Sequence, residues 1–521
     1  MTRAKLLSLL ILLAGAPLPA ATVPAGFDDT LVAGVGATAL AFTPDGRLLI
    51  ATQPGALRIL QGGTLLATPA LTIAAASICT TAEQGLLGVA VDPVFGTTPH
   101  IFLFYTFRRP DSTCVNRVSR FTLPAGNVID PGTELVLIDN MPAPSGSHNA
   151  GDVHFGKDGH LYVSIGEGGI SIAARLEHVL TGKILRITKD GNIPVDNPFQ
   201  GPGTARCNVI GHTTEGSKCQ ETFAWGLRNP FRIAFDPNAP GTRFFVNDVG
   251  NGHWEEIDLG QPGADYGWDL CEGSHNAVSD LPCTNAPPGH VGPLFEYRHN
   301  QVIPGTTSPS NCNSITGGAF VPDGAWPGHD GMYLFGDWVC GEIFKLTESG
   351  GVWSAADFAQ GVGVVTAMIF GPHGGGQALY YATLDFSGGG EVRRIARTPP
   401  VGPLDYFTLA PCRLVDTRVA GPALAAGSTR GFTATGSCGI PPTARVIATN
   451  VTVVSPSSTG HLQIWPGGTP ATSTSVINFA TGQTRSNNVL ILLGSGGGFE
   501  VLGGFTAGSV HLIVDVVGWF E

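Results

Sequence analysis

The chain has 521 residues, of which 13% are charged and 73 are glycine; ordinary domains carry about 25% charged residues. A length of 521 residues allows more than one domain and a large buried core. A net charge of −12 argues against nucleic acid as a partner, because no basic stripe is present to neutralise phosphates. Neutral partners remain compatible with this balance.

The first 21 residues read as a secretory leader. Arg3 and Lys5 precede an almost wholly apolar run from Leu6 to Ala14, and small residues follow at Ala20 and Ala21. Pro17 and Pro19 end the apolar run well short of the roughly 20 residues a membrane span needs. The run from Val510 to Trp519, broken by Asp515, reads as a buried strand, so no membrane span is expected. Ten cysteines fall into neighbouring couples: Cys79 with Cys114, Cys207 with Cys219, Cys271 with Cys283, Cys312 with Cys340, and Cys412 with Cys438. Spacing alone leaves other connectivities open. Five near-neighbour disulfides in an exported protein, periplasmic or extracellular, are the expectation.

A phrase then recurs along the chain: an apolar residue, a turn of the Pro-Asp-Gly kind, and an alternating apolar strand. It begins at Phe42-Thr-Pro-Asp-Gly, Val91-Asp-Pro, Phe155-Gly-Lys-Asp-Gly, Phe235-Asp-Pro-Asn, Phe320-Val-Pro-Asp-Gly and Phe370-Gly-Pro-His-Gly. A second phrase follows some copies, as in Gly182-Lys-Ile-Leu-Arg-Ile, Gly341-Glu-Ile-Phe-Lys-Leu and Gly390-Glu-Val-Arg-Arg-Ile. Each unit reads as strand, turn, strand and cannot bury both faces alone, so units must pack side by side. Six copies predict an all-β fold, a six-bladed β-propeller over residues 24–398. A Pro-rich linker is expected at 399–404. Residues 405–521 turn to Ser, Thr and Val and predict a smaller, sandwich-like all-β domain. Its phrases Pro411-Cys-Arg-Leu-Val-Asp-Thr-Arg and Asp515-Val-Val-Gly-Trp-Phe resemble a module found at the C-termini of secreted bacterial proteins.

Six segments carry chemistry. They are Glu83-Gln-Gly-Leu-Leu-Gly, His148-Asn-Ala-Gly through Gly166-Glu167, Trp225-Gly-Leu-Arg-Asn-Pro-Phe-Arg, Asp248-Val-Gly-Asn-Gly-His-Trp-Glu-Glu-Ile, Asp265-Tyr-Gly-Trp and Ser314-Ile-Thr-Gly-Gly. In this order, over roughly Phe27 to Ile395, they resemble the glucose/sorbosone dehydrogenase family, six-bladed propellers that include pyrroloquinoline quinone (PQQ) enzymes. The resemblance implies a quinone-dependent oxidoreductase acting on an aldose, with an external or membrane electron acceptor. It implies His148 as the base that removes the anomeric hydroxyl proton, with Glu167 orienting the imidazole where the family has Asp. It places Arg228 on the quinone oxygen that gains charge, and Glu83, Asn229 and Thr316 against the cofactor. It implies calcium on Gly250, Asn251 and Glu255, through hard oxygen ligands.

The sequence departs from the family at several of these points. Glu83 stands where the quinone enzymes have Gln, and Ala150 fills the first glycine position of the His-x-Gly-Gly motif. The lysine and two arginines that meet the three carboxylates of PQQ align with Val339 and with residues near Val364 and Thr366. No Lys or Arg lies between Lys345 and Arg393. These departures keep a second function open, a non-catalytic, calcium-containing propeller that binds carbohydrate or protein. A hydrolase lacks support, since the sequence has no Gly-x-Ser-x-Gly elbow and no evident carboxylate pair.

Overall fold

The structure, a computed structural model, describes residues 19–385, 388–398, 404–469, 471–494 and 496–521. The expected leader, apart from residues 19–21, and the expected linker, apart from residue 404, lie outside the described residues. The chain divides into two compact units, Met1–Thr398 and Pro399–Glu521.

In the first unit every blade is an antiparallel sheet, and in the first five the strands follow one another along the chain. The innermost strands are Ala39–Phe42, Leu86–Val91, Val153–Phe155, Pro230–Phe235, Ile315–Phe320 and Val365–His373. Each packs against the next, and the sixth packs against the first, closing the ring of a six-bladed propeller. The sixth blade is completed by the N-terminal strand Phe27–Ala33, paired antiparallel with Val392–Arg397. Asp29 fixes that closure through an ion pair with Arg393 at 2.9 Å and a hydrogen bond from the Tyr381 hydroxyl at 3.0 Å.

Inner and middle strands such as Leu48–Ala51 and Leu161–Ile165 are buried along their whole length, because neighbouring blades cover both faces of each sheet. The six recurring phrases all fall at the hairpin from a blade's first strand to its second. The second phrase falls on third strands, including Lys183–Ile187 and Glu342–Ser349. All the repeat turns therefore lie on one rim. The opposite rim is built from the starts of first strands, the links from second to third strand, and the links between blades.

All five expected cysteine couples are bridged. In the propeller Cys79 is joined to Cys114, Cys207 to Cys219, Cys271 to Cys283, and Cys312 to Cys340. In the second unit Cys412 is joined to Cys438. Each bridge closes a loop of 12 to 35 residues, so it restrains a local segment of chain.

The second unit stacks two antiparallel sheets around one apolar core. Alternating burial along Val446–Val454 is what a sheet with one face on a core requires. No helix among the described residues is long and apolar enough to cross a membrane.

Candidate functional site

The rim opposite the repeat turns holds a cavity of about 630 Å³. Its wall includes Glu83, His148, Arg228, Asn229, Gly250 and Thr316, so six of the nine residues singled out for catalysis, cofactor and metal meet there. The other three stand behind the wall. Glu167 and Glu255 are buried, and Asn251 lies on the exposed loop beside Arg228.

His148 sits on the link between blades 2 and 3, in a bend where His148, Ala150 and Gly151 all have positive φ (56°, 49° and 97°). Left-handed backbone is costly for residues with a Cβ, so the bend must be held by its surroundings. Two close approaches hold it. A Cβ on Gly166 would lie 2.1 Å from the His148 carbonyl, and one on Gly88 would lie 2.1 Å from the Gly151 carbonyl. Gly166→Ala is therefore expected to push the bend off blade 3, costing about 2 kcal/mol or more as overpacking. A lowered Tm together with lost site function would show it; an unchanged Tm would refute the contact.

Glu167, 2% exposed, hydrogen-bonds the His148 Nδ1 through Oε1. Its backbone N–H donates to the Arg228 carbonyl at 2.9 Å, and its Oε2 is buried without a hydrogen-bond partner. With Nδ1 engaged, Nε2 is the nitrogen left for a ligand. Glu83 ties the same bend to blade 4: its Oε2 accepts the Asn149 N–H at 3.0 Å and the Asn229 Nδ2 at 3.2 Å. Asn229 returns its Oδ1 to the Ala150 N–H at 3.1 Å.

Arg228 donates through Nη1 to the carbonyls of Val249 at 2.9 Å and Gly250 at 2.7 Å, with its guanidinium over the Trp268 ring. The backbone N–H groups of Arg228 and Asn229 both donate to the Asp248 carboxylate, at 2.9 and 2.6 Å. Burial pushes that carboxyl up to about 7, against these two hydrogen bonds. Thr316 donates to the Val365 carbonyl at 2.7 Å, joining blades 5 and 6 in the wall.

The three residues assigned to calcium have their oxygens engaged within the protein. The Gly250 carbonyl and Asn251 Oδ1 face Arg228. Glu255 hydrogen-bonds His299 at 2.6 Å and the Ile315 N–H at 2.9 Å. Burial works against a charged His299, but the Glu255 hydrogen bond raises its pKa overall.

Four features of the site were not assigned from sequence. Glu272 Oε1 collects the N–H groups of Asn251, Gly252, His253 and Trp254 at 2.7–3.1 Å and shapes that loop. Arg232, 5% exposed, lies in the cavity floor. It bonds the carbonyls of Thr38, Thr366 and Phe231, joining blades 1, 6 and 4. The cavity wall also takes Trp338 and Asp385. Beneath it, Glu256 and Asp258 are buried on one face of Trp254–Leu259. Both Asp258 carboxylate oxygens and Glu256 Oε2 have no hydrogen-bond partner. Burial, and the repulsion of Asp248 and Glu296, raise both carboxyls well above the ordinary range.

Comparison with known proteins places this fold among relatives. The chain is 34% identical over 232 residues to the HIPL1 protein of Arabidopsis thaliana, matching 39% of this chain and 30% of that one. It is 31% identical over 236 residues to the aldose sugar dehydrogenase YliI of Escherichia coli, matching 44% and 58% respectively. The chain thus spans well under two thirds of the length of these relatives. The solved apo-form of the soluble aldose sugar dehydrogenase from Escherichia coli shares the fold, with a TM-score of 0.59, 22% identity and coverage of 71% of this chain and 99% of that one. The model of the Glucose / Sorbosone dehydrogenase family matches residues 36–347. That match takes in more than half of the sequence and all six segments singled out for chemistry, and the chain belongs to the glucose/sorbosone dehydrogenase family.

Proposed function

We propose that the chain is an exported aldose dehydrogenase in which His148 is the general base. The observation that carries this reading is the His148 ring in the cavity wall with a buried carboxylate, Glu167, on Nδ1. Oxidising an anomeric carbon requires loss of a hydroxyl proton as hydride leaves the same carbon. His148 Nε2 takes that proton, and Glu167 stabilises the imidazolium so formed. Arg228 supplies a fixed positive charge beside the reacting centre. The five disulfides support an oxidising compartment.

Calcium fits the donor chemistry here, at a place other than the three residues taken from the family. The partnerless oxygens of Asp258 and Glu256 are hard and buried, the donor type such an ion prefers. Bound there, the ion would offset their mutual repulsion and hold blade 4 beneath Arg228 and Asn229. The tricarboxylate quinone does not fit. Val339, Val364 and Thr366 offer no charge, and Arg228 and Arg232 are fastened to backbone carbonyls. No step is therefore assigned to that quinone.

The missing cations favour one second reading, a non-catalytic propeller that binds carbohydrate or protein. Dye-linked oxidation of a panel of aldoses by the calcium-loaded full chain, with several quinones as mediators, separates the two. His148→Ala is expected to lower turnover by about 10²–10⁴-fold, the usual contribution of general-base catalysis. Turnover indifferent to His148, or absent with every mediator, would leave the binding reading.

A further inference from the structure

We infer that the redox partner of this cavity is an uncharged quinone and not a quinone tricarboxylate, an inference that rests on the aldose dehydrogenase reading above. Among the described residues, the ionisable groups of the wall other than His148 are Arg228, Arg232, Glu83 and Asp385. Two positive and two negative charges leave the wall balanced. A dianionic or trianionic ligand entering it would give up water without meeting net positive charge.

The placement of the charges sharpens this. Arg232 donates through all three of its guanidinium nitrogens to carbonyls of three blades, so it acts as a fixed tie in the floor. Arg228 is held through Nη1 by the carbonyls of Val249 and Gly250 and extends over Trp268, which fixes the direction of its charge. Glu83 is the strongest discriminator. Its carboxylate engages the Asn149 N–H and the Asn229 amide and sets a negative charge in the wall. It presents only acceptor oxygens, which welcome a hydroxyl and repel a carboxylate.

The remaining wall suits a neutral ring. Phe231, Trp338, Leu87 and Leu384 supply apolar surface, and Thr38 and Ser314 supply hydroxyls. A volume of about 630 Å³ lies in the ordinary range for a small-molecule site. The redox step then balances. The aldose C–H delivers hydride, two electrons with one proton, to the quinone, and the hydroxyl proton passes through His148 to the reduced quinone. The products are a lactone and a hydroquinone.

PQQ and its trimethyl ester share one ring system and differ in charge, so they test this directly. Binding of each to the calcium-loaded full chain is read by quenching of tryptophan fluorescence, with Trp338 in the wall as a reporter. The ester is expected to bind at least tenfold more tightly than the triacid. Glu83→Gln is expected to narrow that gap by tightening the triacid alone. A triacid that binds as tightly as the ester, or a chain that binds neither, overturns the inference. Dye-linked turnover measured alongside separates this from failure of the parent reading. His148-dependent turnover with tight triacid binding defeats only the inference, whereas ester binding without oxidation of any aldose defeats only the dehydrogenase.

Discussion

Glu167→Gln is expected to lower kcat for aldose oxidation by about 10²–10⁴-fold, with KM changed by much less, because buried triad carboxylates act on the histidine and not on the substrate. Glu167 is 2% exposed, and its carboxylate meets His148 Nδ1 from behind the cavity wall. Gln keeps the volume but removes the charge that the imidazolium needs as it forms. It also lets the amide NH₂ face Nδ1, which would favour the tautomer with its proton on Nε2, where no base is then available. Glu167→Asp is the informative companion. It restores the charge but shortens the reach by one methylene, and placement errors near 1 Å can cost about a hundredfold. An intermediate kcat for Asp, between wild type and Gln, would show that this site is tuned to the longer acid. Equal kcat for all three would remove Glu167 from the mechanism.

How far the sequence discloses this site depends on the range of each interaction. The propeller was legible because each first hairpin repeats a local demand, an apolar strand end followed by a turn that needs Asp, Gly or Pro. Phe42 and Phe155 mark such turns directly. The His148–Glu167 pair came from the family resemblance, and the fold sets the two residues on either side of the first two strands of blade 3. That Arg232 ties three blades across the cavity floor depends on closure of the ring, which no local pattern encodes. Glu272 was missed because its four N–H partners lie about twenty residues away. A signal did exist for Asp258: period two along Trp254–Leu259 sets Glu256 and Asp258 on the face opposite Glu255 and Ile257. The family motif drew attention to Glu255, which is engaged by His299, and away from the face where carboxylates lack partners.

That face yields the second large effect. In calcium-free buffer the propeller is expected to lose stability steadily as pH rises from about 4 to 7. A carboxyl whose folded pKa is raised keeps a proton that the unfolded chain has already released, so its contribution is fully present below the unfolded value, near 4, and is lost on approach to the folded one. For Asp248 the folded value is about 7, set by burial against the hydrogen bonds from the Arg228 and Asn229 backbone. A displacement of about 3 units corresponds to roughly 4 kcal/mol. Glu256 and Asp258 shift in the same direction through burial and the repulsion of neighbouring carboxylates, and steepen the loss. Calcium should reverse the trend at pH 7, because an ion that binds only the folded chain stabilises it by mass action. Asp258→Asn removes one of the buried charges. It should raise Tm at pH 7 in chelator and abolish most of the calcium response. Thermal melts of wild type and variant across this pH range, with chelator and with calcium, measure both effects. A wild-type Tm indifferent to pH in chelator and to calcium at pH 7 would mean that these carboxylates hold no cation.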